Sequence, residues 1–180
     1  GAELLIADPL TIAAAATFTK TGDGVMRIIS TVTGSGPARL DVNGGEVAID
    51  YGIGEPATAT SAAGAQIELQ VINAKASLGA NQTMRVLNAQ TENAGDQEID
   101  LAGRAVRVYN IDLQTEEASI YDDIRAAVFS AGGHDGIYDS TSGSSSFAVG
   151  VTDQSIDAHG DASVLVRLTR TGDANVDGAV

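Results

Sequence analysis

Near the C-terminus, Asp173, Asn175 and Asp177 place three side-chain oxygens on alternate residues, and Gly178 follows. A hard cation such as calcium takes about six to eight oxygens, and a glycine after such a series permits the sharp turn that gathers them. The sequence runs only to Val180, so it holds no bidentate acid to close the site. Weak, incomplete calcium binding is therefore the expectation for Asp173, Asn175 and Asp177. A plain turn is the bland reading of the same residues.

Other groups invite catalytic readings and resist them. His134 lies near Asp135 and Asp139, and His159 near Asp157 and Asp161, with Ser142 and Ser144 to Ser146 nearby. The strained G-x-S-x-G turn that presents the nucleophile in one large class of Ser–His–Asp hydrolases is absent. Both histidines fall in polar Gly-rich stretches and are expected to be solvated. Paired carboxylates could cleave a glycosidic bond. The candidates are Glu116-Glu117, Asp122-Asp123 and the series Asp96, Glu98, Asp100. The two pairs fall on a predicted helix and the series alternates on a predicted strand, so all read as wet faces. Sugar binding favours exposed aromatics. There is no Trp, and Tyr51, Tyr109, Tyr121 and Tyr138 are expected to serve mostly in packing, with Tyr51 and Tyr138 near loops.

The elements that would position these groups are short strands. Apolar–polar–apolar triplets recur: Leu10–Ile12, Met26–Ile28, Leu40–Val42, Val47–Ile49, Ile67–Val71, Met84–Val86, Ile99–Leu101 and Val106–Val108. Period-two alternation buries one face and wets the other. Asn43-Gly44-Gly45 and Asp23-Gly24 supply turns with positive φ. Residues 52–64 lack alternation and read as a loop or a poorly formed rung. From Thr115 to Ala131, Ile120, Ile124 and Val128 recur at helical spacing. Thr115 can cap, acids fill the first turn, and Gly132-Gly133 ends the helix. Residues 132–146 read as an exposed polar loop. Phe147–Val151 and Ser163–Leu168 read as two more strands, the latter central.

Composition sets limits. The net charge of −14, from 24 acids against 10 bases, opposes phosphate binding, so no nucleic-acid partner is expected. No apolar run approaches the roughly 18 residues of a membrane span. Cysteine is absent, which excludes disulfides and thiolate metal sites. Leu10 to Ala16 is too short for a signal peptide, and a start at Gly1 rather than Met suggests that the native N-terminus lies elsewhere.

Residues 17–50 read TFTKTGDGVMRIISTVTGSGPARLDVNGGEVAID. This stretch resembles the autotransporter-associated β-strand repeat: Lys20, Gly22, Gly24, Met26 and Ile28 fit its first strand and turn. Leu40, Val42, Gly44, Gly45 and Val47 fit its second. Residues 172–178, GDANVDG, resemble the opening of a dockerin type I calcium loop, and also the first half of an EF-hand loop. Together they resemble large secreted planctomycete-type proteins. The resemblance implies a scaffold without catalysis and a location outside the cell or on its surface.

The resulting expectation is a mainly β fold. It is a short β-solenoid or solenoid-like sandwich with one amphipathic helix near 115–131, or else a jelly-roll sandwich. Residues 1–170 form one module and 171–180 the start of a dockerin-like segment or linker. The expected function is a non-catalytic spacer, display, adhesive or extracellular-assembly element of a larger bacterial protein. Its expected partners are copies of itself or other extracellular proteins. A carbohydrate-binding or polysaccharide-degrading module is the alternative, with polysaccharide as partner.

Overall fold

The computed structural model describes residues 2–53, 66–88, 97–109, 128, 136–143, 147–156 and 162–171. Most of these residues are strand, and almost none are helical. The strands are β1 (Glu3–Ile6), β2 (Leu10–Ile12), β3 (Thr17–Thr21), β4 (Val25–Ile28), β5 (Val32–Gly34), β6 (Ala38–Asn43), β7 (Glu46–Ile49) and β8 (Ile67–Val71). They continue with β9 (Lys75–Leu78), β10 (Gln82–Met84), β11 (Val86–Asn88), β12 (Glu98–Asp100), β13 (Ala105–Val108), β14 (Gly136–Tyr138), β15 (Phe147–Ile156) and β16 (Ala162–Arg170).

The chain passes repeatedly through the same ladders. The first has the order β1-β4-β7-β9-β12-β14, the second β2-β5, the third β3-β6-β8-β11, and none closes on itself. All pairs in these three ladders are parallel. One circuit therefore visits the first, second and third ladders before returning to the first. Glu3 pairs with Val25, Leu10 with Val32 and Thr17 with Arg39, the same step of 22 positions on all three sides. The second ladder then thins to a single bridge, Val32 to Ile53. A fourth sheet, β10-β13-β16-β15, begins parallel and ends in an antiparallel hairpin.

Alternation explains the core. Met26, Val47, Ala76, Ile99 and Ile137 line up along the first ladder and are buried, as are Leu40, Leu69 and Leu87 along the third. Each fully buried Leu or Ile contributes about 1.5–3 kcal/mol. The turns between third and first ladders stack as well. Gly45 sits at φ 64 and Asn73 at φ 50, conformations that glycine and asparagine tolerate best.

The structure departs from the sequence reading in several places. Residues 132–146 are not an exposed loop throughout, because β14 lies within them, paired to β12, with Ile137 in the core and Asp139 buried. Its three residues gain their ladder from β12, a partner 38 positions earlier that local pattern does not reveal. Not every alternate polar residue is wet: Asp41 and Asp100 are buried. The β16 strand is an inner strand, as expected. The helix near 115–131 lies outside the described residues except for Val128, which is helical and packs against the core. Of residues 52–64 only 52 and 53 are described, and Ile53 is fully buried.

Candidate functional site

Among the described residues, the outward face of the first ladder carries a dense set of ionisable groups. Register places Glu46, Lys75 and Glu98 in one row, and Ser77, Asp100 and Tyr138 in the next. The alternating charge follows from the parallel pairing, since like charges side by side would repel. Lys75 Nζ lies 3.8 Å from Glu98 Oε2 and 5.8 Å from the Tyr138 ring centroid, the outer limit of a cation–π contact. The Tyr138 hydroxyl donates to Glu98 Oε2 at 3.0 Å, and Ser77 Oγ donates to Glu46 Oε1 at 2.9 Å.

These contacts set protonation. The Lys75 ammonium titrates above the ordinary lysine value, chiefly through its hydrogen bond with Tyr138 and further through the negative charges of Glu46 and Asp100, with burial opposing. Burial pushes the Tyr138 phenol up, and its hydrogen bond to Glu98 adds to that, while Lys75 pulls the other way. At neutral pH the lysine is charged and the phenol is neutral. Neither is poised as a general base, which works best with a pKa near the operating pH.

Two neighbouring carboxylates are engaged with backbone. Asp100 Oδ1 accepts from Ala102 N at 2.9 Å and from Ser140 N at 3.0 Å. Asp139 Oδ2 accepts from Gly103 N at 2.8 Å, and its Oδ1 accepts from Thr141 N at 2.8 Å and from Thr141 Oγ1 at 2.5 Å. Each acid thus reaches across to the other's turn. The pair forms a reciprocal clamp between β12 and β14.

Gln82 has a similar task. Its Oε1 accepts from Ile53 N at 2.6 Å, and its Nε2 donates to Tyr51 O at 3.2 Å and Ala80 O at 2.8 Å. The buried amide imitates a peptide group where the second ladder has lost its strand. On the third ladder, Arg39 Nε lies 2.9 Å from the buried Asp41 Oδ1, an ion pair in which neither atom has hydrogen-bond geometry.

The structure sorts the sequence candidates. Glu98 and Asp100 fall in the first-ladder cluster, and Asp96 lies outside the described residues. Tyr138 joins Glu98 there, Tyr109 is in the core, and Tyr51 is 49% exposed. The calcium candidates Asp173, Asn175 and Asp177 lie outside the described residues, as do His134, His159, Tyr121, Glu116-Glu117 and Asp122-Asp123. Sequence reasoning missed the roles of Lys75, Gln82 and Asp139. Among the described residues, no group of three or more His, Cys, Asp or Glu side chains is placed to hold a metal ion. Likewise, none forms a helix long and apolar enough to cross a membrane. Compared with models of known families, with curated proteins and with solved structures, the chain matches none.

Proposed function

We propose that this chain is a non-catalytic structural module of a large secreted or cell-surface bacterial protein, built as a short β-solenoid. The supporting observation is the 22-position first step that three parallel ladders share, Glu3 to Val25, Leu10 to Val32 and Thr17 to Arg39. A repeated circuit of that kind makes a spacer, and each circuit buries its apolar face only against the next. The acids of the outer face bind backbone, lysine, serine or tyrosine, which suits a role in holding circuits together. Purified protein should release no sugar ends from a panel of polysaccharides. Reproducible release that is lost in Glu98→Gln or Asp100→Asn would overturn the reading.

The carbohydrate alternative has one observation in its favour, the exposed ring of Tyr51. Binding to an insoluble polysaccharide that disappears in Tyr51→Ala would favour it. For calcium, the proposal remains weak binding at Asp173, Asn175 and Asp177. It is tested by calorimetric titration of the chain and of Asp173→Ala.

A further inference from the structure

We propose that the β1–β2–β3 end of the molecule is a docking surface for one further parallel circuit, joined in cis ahead of β1. The inference deepens the structural reading and rests on it. Among the described residues, β1, β2 and β3 each pair on one side only, so each of the three ladders presents an open edge at this end. The residues on the core side of these strands are incompletely covered. Leu4 is in register with Met26, which is buried, yet Leu4 is 58% exposed. Ile6, Leu10 and Phe18 pack on the core but are only partly covered.

The occupant follows from continuity with the interface that already joins the circuits. A parallel circuit of the same step meets all three edges at once, as β4, β5 and β6 do on the inner side. A second copy approaching head-on across a twofold axis would match only one ladder with itself and would exchange the other two. That would set the three-residue β2 against the five-residue β3.

The turn column points to a connection in cis. Backbone N–H groups at the starts of successive first-ladder strands donate to the preceding circuit's turn: Val25 to Ala2 O at 3.1 Å, Glu46 to Gly24 O at 3.3 Å and Lys75 to Gly45 O at 2.9 Å. Ala2 therefore already occupies the position from which each circuit is entered. Lys20 further restricts the partner. Its Nζ donates to Gly22 O at 2.5 Å and Gly44 O at 2.7 Å, in register with Val42 on the core side. A docked circuit should carry no second cation above it, because a lysine there would place like charges side by side.

The test is an extended chain in which residues 25–45 are repeated directly ahead of Glu3. Gly44 and Gly45 of the repeat then lead into β1 as they lead into β7, and Val42 of the repeat lies over Lys20. Hydrogen exchange should show the repeat protected and the amides of β1 slowed by at least about tenfold. The melting temperature should rise above that of a control carrying the same residues in scrambled order. Adding Leu4→Asp to the extended chain should abolish the repeat's protection. A repeat that exchanges as freely as the scrambled control, or whose protection survives Leu4→Asp, overturns the proposal. Either result leaves the structural reading standing, because that reading falls only on release of sugar.

Discussion

The first two circuits, residues 3–49, and the region from β12 onward are held in register by different means. In the first, all three ladders open with a step of 22 positions, the first ladder's next step is 21, and the connections are short. In the second, the step from Glu98 to Gly136 is 38 positions, and the parallel order gives way to an antiparallel hairpin. Side chains take over there, with Asp100 and Asp139 clamping across the long excursion. Gln82 plays the same part where the second ladder fails. Regular spacing lets glycine turns and apolar rows fix the register, whereas irregular spacing calls for specific hydrogen bonds.

The largest expected effect lies in the regular half. A Cβ on Gly45 would meet Gly24 O at 2.5 Å, Gly22 O at 2.6 Å and Lys20 Nζ at 2.7 Å, on a backbone with φ 64. Two of these neighbours are backbone and cannot turn away. Gly45→Ala should cost about 3 kcal/mol in urea unfolding, combining left-handed strain with displaced carbonyls. Asn73→Gly, in the corresponding turn, should stay within about 0.5 kcal/mol. If the two variants behave alike, turn geometry does not hold the first circuits.

Next comes the clamp. Asp139→Ala orphans Gly103 N and Thr141 N and should cost about 2–3 kcal/mol. Hydrogen exchange should locate the loss in β12 and β14, with β1 to β6 unchanged. Loss spread evenly over the whole chain would erase the contrast between the halves. Gln82→Ala should cost less, about 1–2 kcal/mol, mainly from the buried Ile53 N–H left without its acceptor. Faster exchange at Ile53 is the specific sign, and unchanged exchange there would mean that the amide is not a ladder surrogate.

The legible part of this fold was its alternation. Met26, Ile28, Leu40, Val42, Ile67, Leu69, Val71, Ile99, Val106 and Val108 are all buried, as period two requires. Parallel pairing was not written locally, because a hairpin strand and a parallel strand of this length show the same alternation. Lys75–Leu78 offers only Ala76 and Leu78 to the core, and Gly136–Tyr138 sits among glycines and serines, so both strands stay hidden until their neighbours are known. The clamp was invisible for the same reason: Asp100 and Asp139 meet only through the pairing of β12 with β14. The sequence shows Asp100 as an acid on an alternating strand, but its partners Ala102 and Ser140 belong to two different circuits.

The smallest effect concerns the outer face that links the two halves, and it appears only in alkali. Lys75 and Tyr138 both titrate above their ordinary values of 10.5 and 10.0. For each, the contribution to stability is complete below the unfolded pKa and is lost as pH rises through the raised folded value. For the lysine, the folded state loses a favoured ammonium. For the tyrosine, the folded state resists a phenolate that the unfolded chain accepts. The two effects share a sign, so stability should fall from about pH 10 upward. The Lys75 side chain is 35% exposed, and solvent screening holds its part to about 0.5 kcal/mol. Thermal melts between about pH 8 and 12 of the wild type and Tyr138→Phe isolate this pair, because all other titrating groups are common to both. The wild type should decline more steeply than the variant above about pH 10, while at pH 8 the variant should show only the constant loss of the hydrogen bond to Glu98. Parallel declines would place the alkaline sensitivity elsewhere and leave the Lys75–Tyr138–Glu98 row as a surface contact without energetic weight.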